Sequence, residues 1–323
     1  MAIARGPSNS QDPHGNSHLP ALERDAHAIA DRLPDLLLEA DRIASTVAHG
    51  IHGRRRAGPG ETFWQFRHYG PLDAATLIDW RRSASSDQLY VREREWEAAH
   101  TLWLWPDLSP SMNFNSHLSS VTKRDRALVL LLAAAELLVR SGERVGLMGV
   151  TAPMANRKAA SKLAEAIAMN AKAPALTESL PPELRLARFS SAILFSDFLD
   201  PIETIRERVE TIASSGVAGH LVQVLDPAEE SLPYQGRTEF LGMEGNERWI
   251  ADRAESLRGR YQEKFLAQRA ELFELTKRLG WTLMVHHTDR PASEPLLSLM
   301  MNLEGKDGGY KWAAPSASAG DSP

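Results

Sequence analysis

The residues best suited to chemistry are Asp107, Ser109 and Ser111 in the run PDLSPSMNFNS, and Ser196 with Asp197 in FSDF. Together they offer two carboxylates and three hydroxyls, hard oxygen ligands of the kind Mg2+ accepts. Because Mg2+ usually keeps several waters, a site with few direct protein ligands is chemically sound. The same residue types also serve as turn and helix-cap residues at strand-to-helix junctions, and on spacing alone both readings stand. Position strengthens the metal reading until the two stand level. In open α/β sheets ligands collect outside the carboxyl ends of strands, near a switch in strand order. Each loop comes after a short apolar run, TLWLW before the first and AILF before the second.

The elements that must hold these loops are read from apolar patterning. A continuous apolar run such as TLWLW implies a parallel strand covered on both faces. The helix predicted over Lys123–Arg140 is apolar nearly all round, with a capping pattern from Thr122 to Asp125 and a stop at Ser141-Gly142. Further strands are predicted at 145–150, 191–195, 220–225 and 281–286. Further helices are predicted at 158–170, 202–213 and 294–303, with a long one over 247–279. This alternation specifies an α/β fold, a doubly wound, mostly parallel sheet.

Ahead of it, residues 21–48 show helical spacing that Pro34 should kink or divide. Next come a glycine-rich stretch and a predicted strand at 89–94. The expected organisation is a disordered arm over 1–20, a small helix-plus-β module over 21–98, the α/β domain over 99–310 and a disordered tail over 311–323.

Composition narrows the function. With no cysteine, disulfide scaffolds, thiolate metal sites and cysteine nucleophiles are excluded. A net charge of -5 argues against a nucleic-acid binder, although Arg54, Arg55 and Arg56 precede Phe63, Trp64 and Phe66. There is no phosphate-binding G-x-x-x-x-G-K-[ST] loop and no G-x-S-x-G elbow. No signal peptide is apparent, and the greasiest run, 127–139, is too short to span a bilayer and carries Glu136. The expectation is a cytoplasmic protein without a membrane span. His49, His52, His286 and His287 read as structural or solvated, the last two because strand neighbours face opposite ways. Trp80, between Asp79 and Arg81, is expected to bury area in the small module.

The D-x-S-x-S pattern resembles the metal-ion-dependent adhesion site of von Willebrand factor A domains. That resemblance implies a first metal loop at Asp107, Ser109 and Ser111. It also implies a threonine ligand at Thr177 in PALTESL, without its usual flanking glycines, and a third loop at Asp197. Gly58, Gly60, Glu61, Phe63, Arg67, Tyr69, Asp73 and Ile78-Asp79-Trp80-Arg81 further resemble the DUF58 family. Ser83-Ala84, Val91-Arg92-Glu93, Glu95, Asp226-Pro227, Glu229, Pro233-Tyr234, Gly236, Tyr261 and Thr288-Asp289-Arg290-Pro291 continue it. Leu72 and Ser85 depart from the pattern.

The resemblance implies a von Willebrand factor A-like fold and a non-enzymatic, partner-binding role with no catalytic residues. The cofactor implied is Mg2+ or Mn2+, bound at rest or only once a partner supplies a ligand. The partners implied are a MoxR-type AAA+ ATPase and a client protein whose maturation or remodelling it serves. The alternative is a Mg2+-dependent phosphoryl-transfer enzyme of the haloacid dehalogenase-like type. That chemistry needs a second aspartate two residues after the first, where Ser109 stands.

Overall fold

The computed structural model describes residues 2–5, 18–52, 63–70, 78–84, 86, 88–94, 100–243 and 247–307. Arg54 to Arg56, Gly58, Gly60, Glu61, Asp73 and the predicted tail lie outside the described residues, as does most of the predicted arm. The chain forms two compact units, Met1–Gly50 with His100–Pro323, and Ile51–Ala99.

The larger unit is built on a five-stranded sheet flanked by helices. Its strands are β4 (Thr101–Pro106), β5 (Arg144–Leu147), β6 (Ser191–Ser196), β7 (Ala218–Leu225) and β10 (Thr282–His287), in the order β10-β7-β6-β4-β5. Every neighbouring pair is parallel, as the unbroken apolar runs require. Helices α4 (Ala159–Met169), α6 (Ile202–Ser214) and α9 (Ser293–Asp307) form close to their predicted positions. From β4 the chain crosses to β5 on one side and then returns to β6 on the other. The carboxyl ends of β4 and β6 therefore flank the switch in strand order, and Asp107 and Asp197 stand there.

Helix α3 (Lys123–Arg140) is buried along almost its whole length, including its charged first turn. Thr122 caps it, its hydroxyl accepting from the Asp125 amide at 3.1 Å and donating to the Asp125 carboxylate at 2.6 Å. Each fully buried leucine on such a helix contributes roughly 1.5–3 kcal/mol, which offsets the cost of burying its polar start.

Helix α1 (His18–His52) buries the stripe Ile29, Leu33, Leu36, Ala40, Ala44 and Val47. Its polar residues reach α3, with Arg32 paired to Asp125 and Asp41 to Arg140 at 3.1 Å. The sequence pattern groups this helix with the module through residue 98; it belongs instead to the larger unit, where it pairs with α3. Nor does Pro34 divide it. Pro34 and Ala30, whose carbonyl loses its helical partner, are both exposed to water.

A second sheet departs further from expectation. Strand β9 (Arg248–Ala251) pairs antiparallel with β8 (Thr238–Gly242), and the long helix predicted from 247 begins only at Arg258, as α8 (Arg258–Arg278). Packing overrides the helical charge pattern here: Trp249 stacks on Phe240 at 5.7 Å, and Ala251 and Ala254 pack with Leu232 and Phe240. The other edge of β8 pairs with β1 (Ala2–Arg5), so the start of the predicted disordered arm is a strand.

One close approach fixes the sheet's sequence. A Cβ on Gly219 in β7 would lie 2.0 Å from the ring of buried Trp281, whose indole donates to the Val217 carbonyl at 3.1 Å. Gly219→Ala should lower the unfolding free energy by about 3 kcal/mol through overpacking. An unchanged denaturation midpoint would refute this packing.

The smaller unit contains β2 (Phe63–His68), paired antiparallel with β3 (Tyr90–Arg94), and the single turn α2 (Trp80–Ser83). Asp79 caps that turn, accepting from the Arg82 amide at 3.0 Å, and its own amide donates to the Tyr90 carbonyl. Ser83 Oγ accepts from the Tyr90 amide at 2.9 Å. The Ile-Asp-Trp-Arg run is thus a capped turn pinned to β3. Trp80 does not bury area as expected: it is 65% exposed, while Ile78 provides the apolar anchor.

Candidate metal-binding site

Two loops meet at the switch point. The Asp107 amide donates to the Phe195 carbonyl at 2.9 Å, carrying the β4–β6 ladder one residue past the strand. Asp107 is fully buried, and its carboxylate takes the Ser109 amide on Oδ1 at 2.8 Å and the Ser196 hydroxyl on Oδ2 at 2.6 Å. Ser109 Oγ and Ser111 Oγ are bonded at 3.0 Å. The structure therefore brings Asp107, Ser109, Ser111 and the Ser196-Asp197 pair together. Phe198, next in the chain, has φ +49°, a left-handed conformation that costs a bulky residue roughly 1–2 kcal/mol. The Phe198 and Asp200 carbonyls are held by Gln268 Nε2 at 3.2 and 2.8 Å.

Thr177 ends the short helix α5 (Pro174–Thr177), which is fastened beside the first loop. The Leu108 amide donates to the Leu176 carbonyl at 2.8 Å, and Trp105 Nε1 to the Ala175 carbonyl at 2.7 Å. The Thr177 hydroxyl itself donates back to the Ala173 carbonyl at 3.2 Å.

A resident cation that sequence reasoning missed sits at this point. Lys123, the first residue of α3, is fully buried, and its ammonium donates to Asp197 Oδ2 and Glu229 Oε1, both at 2.6 Å. Glu229 belongs to α7 (Pro227–Ser231), which succeeds β7 through a capping box. Asp226 accepts from the Ala228 amide and Glu229 Oε2 from the Asp226 amide. Asp226 also takes the amide and hydroxyl of Ser116, tying this turn to the loop before α3. The run Asp-Pro-x-Glu after an apolar strand was the available signal: it announces a capped helix at the place where strand ends collect ligands.

Burial and charge act against each other here. Burial pushes the Asp107 carboxyl up, the Asp197 charge adds to it, and the group reaches about 8 despite its hydrogen bonds. Burial pulls Asp197 the same way, but the Lys123 ammonium outweighs it and holds Asp197 below the usual range. Glu229 is raised, by burial against the pull of Lys123. Lys123 itself is raised, because the two acids outweigh its burial. Lys123 thus faces Asp197 and Glu229 directly, while Asp107 is held by the Ser109 amide and the Ser196 hydroxyl.

The donor set fits a hard divalent cation. It consists of carboxylate and hydroxyl oxygens, the ligand type such an ion prefers. Among the described residues no three His, Asp or Glu side chains gather at ligand spacing. A cation here would rest on two carboxylates, hydroxyls and water. Ser109, bonded to Ser111, offers no carboxylate for proton transfer. Elsewhere, His286 is buried and His287 Nε2 donates to Glu230 Oε2 at 2.6 Å.

Ser111 and Asp197 open onto a cleft of about 970 Å³, also lined by the β8–β9 hairpin and the start of α8. Among the described residues no helix is long and apolar enough to cross a membrane.

Comparison with solved structures finds the conserved hypothetical protein BatB from Bacteroides thetaiotaomicron, at 14% identity and a TM-score of 0.37, covering 64% of this chain and all of that one. An aerotolerance-related membrane protein from Bacteroides fragilis is similar at 14% identity and a TM-score of 0.36, with the same coverage. Uncharacterized proteins of Mycobacterium tuberculosis and Mycobacterium bovis share 26% identity over 292 residues, 84% of this chain and 90% of theirs. Residues 65–271 match the family described as "Protein of unknown function DUF58", and this chain belongs to that family.

Proposed function

We propose that the larger unit is a von Willebrand factor A-like domain that binds another protein through a divalent cation held by Asp107, Ser109, Ser111 and Asp197. The observation carrying this reading is the convergence of both oxygen-rich loops at the switch point, with Ser111 and Asp197 facing an open cleft. When bound, Mg2+ or Mn2+ would supply a Lewis-acidic position that a partner's Asp or Glu fills, a charge-assisted contact able to anchor a modest interface. Asp107 and Asp197 would hold it, the serine hydroxyls would complete its oxygen shell, and Lys123 would keep Asp197 ionised and in place.

The Thr177 hydroxyl donates its proton to the Ala173 carbonyl, which leaves its oxygen lone pairs for the ion. The role is non-enzymatic. The partner implied by the family resemblance is a MoxR-type AAA+ ATPase, with a client acted on by the pair. The test is affinity capture from the native extract with wild type and the isosteric Asp107→Asn, each in Mg2+ and in EDTA. Capture of an AAA+ ATPase that is lost on both chelation and substitution is expected. Equal capture in all four conditions would place the interface away from the metal loops.

A further inference from the structure

The cleft that receives the two loops has a second chemical feature. Arg260 and Lys264, one turn apart on α8, both line it and are both exposed. Residues four apart share a helix face. Arg248 also lines the cleft but is tied to Glu239, and the acids Asp200 and Glu247 lie along it too. That leaves Arg260 and Lys264 as lining cations that carry no ion pair among the described residues. The hairpin contributes an apolar wall, Trp249, 54% exposed and stacked on Phe240. The cleft volume of about 970 Å³ lies at the upper end of the range for enclosed small-molecule sites, large enough for several residues of a peptide.

We propose that this cleft takes an acidic peptide segment of the partner protein, one carboxylate reaching the cation at Asp107 and Asp197 and a second reaching Arg260 and Lys264. The proposal rests on the metal reading of the same site and adds a specificity-determining pair to it. The charge pattern selects the occupant. A cation beside Asp197 and two basic side chains on α8 suit a chain bearing two acids, with Trp249 as an apolar wall of the same cleft. A guanidinium takes a carboxylate in a bidentate fork, whereas an ammonium acts as a point charge, so Arg260 supplies the geometry and Lys264 the charge.

The test is selection of short random peptides displayed on phage against the immobilised full chain in Mg2+. Binding of the winners is then measured by fluorescence polarisation to wild type, Asp107→Asn, and the double variant Arg260→Ala with Lys264→Ala, in Mg2+ and in EDTA. Both α8 positions are exposed, so the double variant keeps its fold. Winners enriched in paired acids, needing Mg2+, and weakened on the order of tenfold by the double variant are expected, about 1.4 kcal/mol. Winners that need Mg2+ but ignore the double variant would overturn the proposal and leave the metal reading standing. Winners that respond to the double variant but bind equally in EDTA and to Asp107→Asn would overturn the metal reading and with it the two-point contact. Winners without acidic residues, or none at all, would also overturn it.

Discussion

Lys123→Met is expected to lower the unfolding free energy by about 3–5 kcal/mol, because removing one partner of a buried ion pair leaves the other uncompensated. Here two carboxylates are left, Asp197 and Glu229, each 2.6 Å from the lost ammonium and each almost wholly buried. Methionine preserves the length of the side chain, so lost packing is a minor part of the effect. Glu229→Gln alone should cost less, since Lys123 keeps Asp197 and the amide still accepts a hydrogen bond. The double variant should be more stable than the two single losses summed, because it removes a charge from each side. Chemical denaturation of the four proteins at neutral pH closes the cycle. Strictly additive losses would show that Lys123 and Glu229 do not interact in solution.

The second large effect concerns the proposed cation. Asp107 stands at about 8 in the metal-free fold, above its ordinary 3.8, through burial first and the Asp197 charge second. The sign is set by linkage. A carboxyl raised on folding stabilises the fold when protonated, and that stability is lost as the pH rises from about 4 through about 8. A divalent cation binds the ionised form and displaces the proton. Its affinity should therefore climb by up to about tenfold per pH unit below 8 and level off above it. At a free concentration one hundred times its Kd, Mg2+ should stabilise the protein by about 2.7 kcal/mol, a rise of several degrees in Tm for a chain this size. Thermal melts and titration calorimetry across this pH range, with Asp107→Asn as control, measure both. An affinity independent of pH, or an equal Mg2+ response in the asparagine variant, would count against Asp107 as a ligand.

Much of the architecture was legible in the residues because its causes are local. Helix α3 spans the predicted Lys123–Arg140, since its cap, apolar run and stop all lie within one short segment. The parallel strands were legible because strands covered on both faces must be apolar throughout, and TLWLW and AILF are. The two acidic loops were legible for the same reason, since each begins where one of those runs ends.

Only the tertiary structure decided what surrounds them. Lys123 reads locally as the polar first residue of a helix, and nothing near it in sequence marks it for burial. Its partners lie 74 and 106 residues away, and strand order alone brings them together. The same holds for β9. The segment around Arg248 has helical composition, yet Trp249 and Ala251 gain more by packing against β8 and Leu232 than a charged helix gains by its own hydrogen bonds. Local sequence set most of the elements of the parallel sheet and where the carboxylates fall. The fold set which charges those carboxylates meet, because burial and long-range pairing depend on neighbours that no short window of sequence contains.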